Sequence, residues 1–291
     1  MKTEKKGKVS FVLGSYNRRE FLKLAVQSIR DEIKNSDIEA EIIVVDGGSN
    51  DGSVDWLVGQ KDVLLILQHN RGVWKDKEIE RRSWGYFMNL GFRSCEGEYI
   101  CMISDDSLIV PGSIKRGIES ISEAKKRNPK IGGAAFYWRN WPEQREYLVG
   151  LTLGRKIFVN HGLYTREAMQ AVDFIDEDSF HFYHADGDLC LKMWHAGYEI
   201  ISAESSYVEH YSHANLKIRQ SNNEKQQKDW AWYLKKWRGI FYFPNTPEEY
   251  EGGWMYKSHE DLSRSAFKFY KAISLPERCF LLLKEIRKRF K

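Results

Sequence analysis

The sequence has few cysteines and no long apolar run, and both absences narrow what the protein can be. Its four cysteines are widely spaced and form no CxxC pair: Cys95, Cys101, Cys190 and Cys279. A disulfide framework or a structural zinc site is therefore not expected, and a reducing compartment fits this pattern. The first apolar run, residues 9–13, follows a basic leader but is too short for a signal sequence or a membrane span. We therefore expect a cytoplasmic protein that is either soluble or peripheral on the inner face of a membrane.

The chain also lacks an excess of positive charge outside its tail. The net charge is +4, and residues 275–291 alone carry six Lys or Arg against two Asp or Glu. Because a nucleic-acid-binding domain usually has a basic face on its main body, we expect no nucleic-acid partner. In the tail, Phe280, Leu283, Ile286 and Phe290 recur at helical spacing among the basic residues. Such a helix either lies on an anionic membrane surface or docks on the body of the protein.

What is present is enough apolar material for one sizeable core, since 42% of the 291 residues are hydrophobic. Alternating apolar runs and helical patterns predict a βαβ arrangement, and hence an α/β domain with a parallel sheet. The predicted strands are 8–13, 41–45, 63–67, 99–103, 131–137, 158–163 and 199–202. The predicted helices are 18–33, 84–92, 113–126, 165–172 and 186–196, with 138–147 as a loop. We place one domain at residues 1–215 and an aromatic-rich, basic-tailed helical extension at 216–291.

Three carboxylate-bearing turns lie where predicted strands end or a helix begins. Asp46 opens a glycine-rich turn, Asp105 and Asp106 follow a strand, and Asp186 and Asp188 begin a helix. Ligands of open α/β sheets bind outside the carboxyl ends of the strands, so these turns are expected to converge on one crevice. Each turn also has a simpler interpretation: an ordinary glycine turn, a solvated turn and a helix cap, respectively.

Seven segments resemble motifs of the family-2 glycosyltransferases, and they occur in the family's order. Residues 9–18 resemble the opening strand, although the family often has proline near Gly14 or Ser15. Residues 44–53 resemble the VDDGSxDGS turn, with Gly47 in place of the second aspartate. The remaining segments are 70–72, 89–91, 97–107 with 111–112, 160–162 with 165–167, and 176–177 with 185–189 and 196–198. The resemblance covers roughly residues 8–215 and implies inverting transfer and a GT-A fold, with a mostly parallel central sheet flanked by helices.

On the donor side, the resemblance implies a nucleotide site and a metal site. Asp106 would be the main ligand of Mn²⁺ or Mg²⁺, because such hard cations prefer carboxylate oxygens. His210 would reach the metal or the diphosphate, unless it is a structural histidine. Ser104 stands where the first aspartate of the family's DxD motif is usual. The residues expected to bind the nucleotide part are Gly14, Tyr16, Asn17, Asp46, Asn70 and Asp105.

On the acceptor side, Asp186 matches an aspartate of the family that we predict to be the general base. Asp188, His161 and Trp138 are the expected acceptor-binding residues. The alternative for Asp188 is capping of a helix, and the alternative for Trp138 is simple packing. The implied reaction moves a sugar from a nucleotide-diphosphate donor to a hydroxyl of a glycan or lipid-linked acceptor, as in surface polysaccharide biosynthesis. A UDP-sugar is favoured, with dTDP- and GDP-sugars as the alternatives.

A non-catalytic relative that only binds nucleotide sugars or carbohydrates is the competing hypothesis. It is kept open by Ser104 and by Ala185, which replaces a glutamate of the family's motif. Retention of Asp106 and Asp186 favours the enzyme.

Overall fold

The computed structural model describes residues 5–70, 72–211, 225–245, 254–257 and 263–279, together with Leu281 and Leu283. The elements of the first half follow the predicted strand–helix alternation. They are β1 (Lys5–Ser15), α1 (Arg19–Ser36), β2 (Ala40–Asp46), α2 (Ser53–Val58), β3 (Val63–Leu67), β4 (Val73–Trp74), β5 (Lys77–Glu78), α3 (Trp84–Phe92) and β6 (Gly97–Met102).

The second half contains shorter strands and more connections between strands that are not neighbours in sequence. Its elements are β7 (Ser107–Ile109), α4 (Ser113–Arg127), β8 (Ile131–Asn140), β9 (Tyr147–Gly150), β10 (Gly162–Thr165), α5 (Arg166–Ala171), α6 (Ala185–His195), β11 (Glu199–His210), α7 (Gln226–Lys236), β12 (Trp254–Lys257) and α8 (Ser263–Ala266). A 3-10 turn, Phe267–Lys271, follows α8.

One large sheet carries ten of the strands, in the order β12-β9-β8-β10-β6-β1-β2-β3, with β11 beside β8 and β7 beside β11. The strands β3, β2, β1 and β6 are parallel. Strand β10 lies antiparallel between β6 and β8, and β9 and β12 are also antiparallel to their neighbours. The sheet is therefore mixed, and the expected mostly parallel arrangement holds only for its N-terminal part. Short connections such as that between β8 and β9 can join only antiparallel strands.

Apolar side chains on both faces of the parallel strands hold the helices in place. In β1, Val9, Phe11 and Leu13 belong to a cluster with α1 and α4, and Val12 belongs to a second cluster with α3, α6 and α7. All four side chains are fully buried. Strands covered on both faces read as nearly continuous apolar runs, which is why these strands were predictable. Their carboxyl ends meet at one edge of the sheet.

The loop that the sequence predicted at residues 138–147 is confirmed only for residues 141–146. Trp138, Arg139 and Asn140 continue β8, because β11 runs parallel beside them and pairs Asn140 with His210. Strand β11 is longer than predicted for the same reason. The strand predicted at 158–163 is displaced to β10. Thr165 is the N-cap of α5, since its hydroxyl accepts a hydrogen bond from the Ala168 amide at 3.4 Å.

The described part of the C-terminal extension is not wholly helical. Strand β12 adds to the edge of the main sheet by pairing with β9. The predicted domain boundary near residue 215 and most of the basic tail lie outside the described residues. At the start of that tail, Leu281 is buried in a cluster with Trp141, Tyr211 and Phe269. No helix in the described ranges is long and apolar enough to cross a membrane.

Candidate functional site

A cleft of two adjoining pockets opens where β1, β2 and β6 end. The first pocket is lined by Tyr16, Gly47, Asn70, Arg81, Arg82 and Asp105, and the second by Asp106, Trp138, Asn160, His161, His184, Asp186 and His210. Gly14, Arg18, Trp84, Ser104 and Phe182 line both. The structure thus brings Asp105, Asp106 and Asp186 to one cleft, whereas Asp46 and Asp188 are not part of its lining.

Two glycines let the backbone approach closely in the first pocket. A Cβ atom on Gly14 would lie 2.9 Å from the Met88 sulfur, and one on Gly47 would lie 3.2 Å from the Tyr16 ring. The pocket wall beside Tyr16 therefore has no side chain at Gly47, the position of the second aspartate in the VDDGSxDGS motif that this turn resembles. Asn70 holds the neighbouring loop, since its side-chain amide oxygen accepts a hydrogen bond from the Arg82 backbone amide at 2.6 Å.

Asp46 and Asn17 lie behind this pocket rather than in its lining. The buried Asp46 carboxylate accepts hydrogen bonds from the Gly48 and Ser49 amides, at 2.9 and 2.7 Å, and from the Ser49 hydroxyl. Asn17 adopts a positive φ of 53° and accepts a hydrogen bond from the Asn50 amide at 2.8 Å. Both side chains hold the loops that shape the pocket, and the nucleotide contacts predicted for them stay predictions.

A buried pair of carboxylates lies where the two pockets meet. The Arg18 Nη1 atom donates to Asp105 Oδ1 at 2.8 Å and to Asp106 Oδ2 at 2.7 Å. Ser104, the residue in place of the first aspartate, donates its hydroxyl to Asp106 Oδ1. The side chains of Asp105 and Asp106 are only 3% and 6% exposed, so their charges need nearby cations or donors.

The two carboxylates differ in their electrostatic surroundings. Burial raises the pKa of Asp105 to about 6, although the Arg18 guanidinium opposes this shift. Burial acts in the same direction on Asp106, but the positive charges of Arg18 and His210 outweigh it and hold the Asp106 pKa well below its usual range. Asp106 is therefore the more strongly ionised member of the pair, and the better candidate for a cation ligand.

The neighbourhood of Asp106 fits a divalent cation. His210 Nε2 lies 3.4 Å from Asp106 Oδ1, and His210 Nδ1 lies 2.6 Å from the Asn140 amide oxygen. That oxygen can only accept, so Nδ1 carries a proton and Nε2 is the His210 atom that could bind a cation. Two ligands about 2.1 Å from one ion, at a right angle, would be about 3 Å apart. No group of three or more His, Cys, Asp and Glu side chains within the described ranges could hold a metal, so substrate and water would supply the other ligands.

Asp186 lies in the second pocket, in the first turn of α6. Its carboxylate accepts hydrogen bonds from the Gly187 amide at 2.8 Å and from the Asn160 side chain at 3.3 Å. Burial raises the pKa of Asp186, and these donors together with His184 partly offset the rise. A carboxylate with a raised pKa is a better proton acceptor, which suits the predicted role.

His161 and Trp138 line the second pocket together with Asp186 and His210. The Trp138 ring packs edge-on against His161 and His210, with centroids 6.0 and 5.8 Å apart. Burial, followed by the neighbouring His210, lowers the pKa of His161 to about 3, so this imidazole is neutral at pH 7. Trp138 therefore packs and lines the pocket at once, which combines the two interpretations made from the sequence.

Asp188 does not reach the cleft. Its side chain is fully buried, and its two oxygens accept hydrogen bonds from Lys236 at 2.8 Å and from the Trp237 indole at 2.9 Å. Asp188 thus fastens α7 to α6, and its full burial keeps it away from an acceptor hydroxyl in the cleft. The prediction failed because α6 turns residues two positions apart to different sides.

Several residues of the site were not assigned from the sequence. Arg18 lies in the matched opening segment and Asn160 directly precedes His161, so their positions offered a signal. Asp229 offered none: it is buried in α7, and its carboxylate accepts three backbone hydrogen bonds, each 2.9 Å, from His181, Phe182 and Tyr183. These contacts position the loop before Asp186.

One family profile and two curated relatives match parts of the sequence. The sequence profile of glycosyl transferase family 2 matches residues 10–183. An uncharacterised glycosyltransferase of Nostoc sp. is 31% identical over 114 residues, which are 38% of this chain and 32% of that protein. Protein CgeD of Bacillus subtilis is 24% identical over 115 residues, or 40% of this chain and 26% of CgeD. The chain thus matches about a third or less of the length of these curated relatives.

Solved structures share its fold. The mannosyltransferase PcManGT from Pyrobaculum calidifontis, in complex with GDP-Man and Mn²⁺, is similar with a TM-score of 0.58 at 16% identity, over 97% of this chain and 81% of that one. Residues 1–349 of S. aureus TarS give a TM-score of 0.52 at 15% identity, over 70% of this chain and 60% of that one. TarS has also been solved with UDP and with UDP-GlcNAc. At these identities the likeness shows the fold alone, an α/β fold of GT-A type with a mixed sheet flanked by helices.

The sequence profile covers more than half of the chain, and its matched residues form both the first pocket and the carboxylate pair. We conclude that the chain belongs to glycosyl transferase family 2.

Proposed function

We propose that the chain is an inverting, metal-assisted glycosyltransferase. It moves a sugar from a nucleoside-diphosphate donor, with UDP favoured, to a hydroxyl of a glycan or lipid-linked acceptor. The observation that carries this proposal is the arrangement of the cleft, in which the Asp105–Asp106 pair lies where the pockets meet and Asp186 lies in the second. A transferase needs both, because the leaving diphosphate and the attacking hydroxyl are on opposite sides of the sugar.

The first pocket suits the nucleoside diphosphate. Tyr16 offers an aromatic face for the base, and Arg18, Arg81 and Arg82 bring positive charge to the lining. The donors solved with the structural relatives, UDP-GlcNAc in TarS and GDP-Man in PcManGT, support a nucleotide sugar as the donor class. They leave uridine and guanosine both open as bases.

Asp106 and His210 would hold the divalent cation, with Asn140 orienting the imidazole. When bound, the cation would neutralise the charge that develops on the leaving diphosphate. Asp105, with its raised pKa, would accept a hydrogen bond from the ribose or act as a further ligand.

Asp186 would accept the proton of the acceptor hydroxyl. The hydroxyl oxygen forms a bond to the anomeric carbon as the bond from that carbon to the diphosphate oxygen breaks, so the configuration at this carbon inverts. Asn160 holds one Asp186 oxygen, and the Gly187 amide holds the other, so the carboxylate has a fixed orientation. Trp138 and His161 would border the acceptor.

The test is turnover of a panel of UDP-, dTDP- and GDP-sugars with Mn²⁺ or Mg²⁺. We expect hydrolysis or transfer of one donor class, its loss on chelation of the metal, and loss of metal-dependent diphosphate binding in Asp106→Ala with the fold intact. Glu123→Ala, at an exposed position away from the cleft, is the matched control. A protein that binds a nucleotide sugar with unchanged metal dependence after Asp106→Ala would contradict the metal assignment. Binding of sugars without turnover of any donor would favour the non-catalytic relative.

A lipid-linked acceptor would place the enzyme at a membrane, and the basic tail is our candidate contact. Since Leu281 is buried on the body, we prefer charge removal to truncation: Lys284, Arg287 and Lys288 are changed together to Gln. We expect reduced sedimentation with anionic vesicles, most clearly at low salt, and no change with neutral vesicles. Equal sedimentation of both proteins would show that the tail only docks on the body.

A further inference from the structure

Arg18 occupies an unusual place for a positive charge in a metal-assisted site. A single nitrogen, Nη1, bridges Asp105 and Asp106, and the Arg18 side chain is only 18% exposed. The backbone beside it is fixed, because α1 begins at the next residue and the Leu22 amide donates to the Arg18 carbonyl oxygen. The guanidinium is therefore held on the carboxylates from a rigid helix end.

The ion pairs of Arg18 neutralise part of the negative charge of Asp105 and Asp106 that would otherwise attract a metal ion. Arg18 offsets one of the two carboxylate charges, so Arg18, Asp105 and Asp106 together carry a single net negative charge. A divalent cation added alone would leave the same group net positive, in a buried place where charge is poorly screened. A diphosphate would supply the missing negative charge.

Arg18 also has a donor that is not used in the bridge. Its buried Nε atom has no hydrogen-bond partner among the described residues. Arg18 lines both pockets, so a modest rotation of the side chain would direct the guanidinium at a diphosphate in the first pocket. Guanidinium groups often bind phosphate oxygens through two parallel hydrogen bonds from two of their nitrogens. The bridge to Asp105 and Asp106 uses only Nη1, so it does not make such a pair of bonds.

We propose that Arg18 is a resident countercation that makes metal binding conditional on the nucleoside diphosphate. In the free protein it stabilises the Asp105–Asp106 pair and opposes a lone metal ion. When the diphosphate binds, the guanidinium moves from Asp106 to the phosphate oxygens and yields that carboxylate to the metal. Metal and donor are thereby coupled, and free metal does not occupy the site in advance. This inference rests on the proposed function, since it assumes a diphosphate donor and a metal at Asp106.

The test measures Mn²⁺ binding by electron paramagnetic resonance, with and without UDP or GDP, in the wild type, Arg18→Gln and Arg18→Lys. For the wild type we expect weak binding of Mn²⁺ alone and an increase of about 5- to 150-fold with the nucleotide, the usual range of coupling between two ligands. In Arg18→Gln, which keeps a hydrogen-bond donor without the charge, Mn²⁺ alone should bind more tightly and the increase should shrink. Arg18→Lys keeps the charge and should retain most of the coupling.

Arg18→Gln that binds Mn²⁺ alone no more tightly than the wild type would overturn the inference. The proposed function fails separately, when wild-type protein binds neither Mn²⁺ nor any nucleoside diphosphate. Should Arg18→Gln not fold, a wild-type structure with Mn²⁺ and the diphosphate decides. A guanidinium on the phosphate supports the inference, and one that still bridges both carboxylates overturns it.

Discussion

The first pocket is held by contacts within and between short turns, and the second by contacts from distant parts of the chain. On the donor side, Asp46 bonds to residues two and three positions away, and Asn17 joins the neighbouring turn. On the acceptor side, Asp229 holds the backbone of residues 181–183, which lie more than forty positions earlier. A sequence motif can indicate contacts within and between short turns, but not contacts from distant parts of the chain.

Helix α7 is the main source of this difference. Its Tyr233 ring stacks on His184 with centroids 5.3 Å apart, and its Lys236 pairs with Asp188. The family profile ends at residue 183, before α7 begins. The loop that presents Asp186 is therefore supported by a segment that lies outside the residues matched by the family profile.

The largest expected effect separates Asp186 from its neighbour Asp188. Asp186→Asn removes the proton acceptor but keeps the shape, so turnover should fall by about 10²–10⁴-fold while donor affinity, measured by calorimetry, hardly changes. Asp188→Asn is the matched control, and it should lower stability more than turnover because its partners are in α7 and directly after it. If Asp188→Asn abolishes turnover and Asp186→Asn does not, the base has been assigned to the wrong aspartate.

Next in size is the loss of the α7 contact to Asp188. Lys236→Met leaves the fully buried Asp188 charge without its paired cation. This should lower the free energy of unfolding by about 3 kcal/mol. The value is at the lower end of the range for a broken buried pair because the Lys236 side chain is itself a quarter exposed. Urea unfolding measures this. Arg127→Met, which breaks an exposed pair with Glu199, should leave the free energy of unfolding almost unchanged. Equal losses in both variants would mean that α7 does not stabilise α6 through this pair.

A smaller effect is expected from Asp229, the anchor of the loop before Asp186. Asp229→Asn weakens three backbone hydrogen bonds without removing bulk, and small displacements of catalytic groups are costly. We expect about a tenfold loss of turnover and a smaller change in donor affinity, because Phe182 also lines the first pocket. Lys228→Gln, on the exposed side of α7, should be a silent control. A change in donor affinity of the same size would contradict the separation of the two pockets.

The donor side was largely predictable from the sequence because its signals are local. Strands β1, β2, β3 and β6 are continuous apolar runs, and the turns after β2 and β6 carry the matched motifs, so the carboxylate pair could be placed at a common edge. The hydrogen bonds that Asp46 and Asn17 make to the neighbouring turns were not predicted, since a motif gives the position of a side chain and not its partners.

The acceptor side was predicted less well because its contacts are long-range. The extension of β8 through Asn140 depends on β11, whose partner residues are 70 positions away. A buried pair, Arg139 and Glu209, joins the same two strands with two bonds of 2.8 Å, and neither partner is marked by sequence spacing. The position of His210 follows from this pairing, so the family resemblance could indicate a role for it whereas the spacing of residues could not.

The smallest expected effect concerns Asn160, which tunes the base without reacting. Asp186 must be ionised to accept a proton, and burial raises its pKa, so turnover should fall as the pH drops through that raised value. The hydrogen bond from Asn160 favours the ionised form. Asn160→Ala should therefore shift the acidic limb of the pH–rate profile to higher pH while leaving the plateau unchanged. A hydrogen bond of this kind contributes about 0.5–1.5 kcal/mol, so the loss of rate on the acidic limb should be less than about tenfold. A uniform loss of rate at every pH would instead assign Asn160 to acceptor binding. The second pocket would then, like the first, bind its ligand through side chains that a sequence motif can identify.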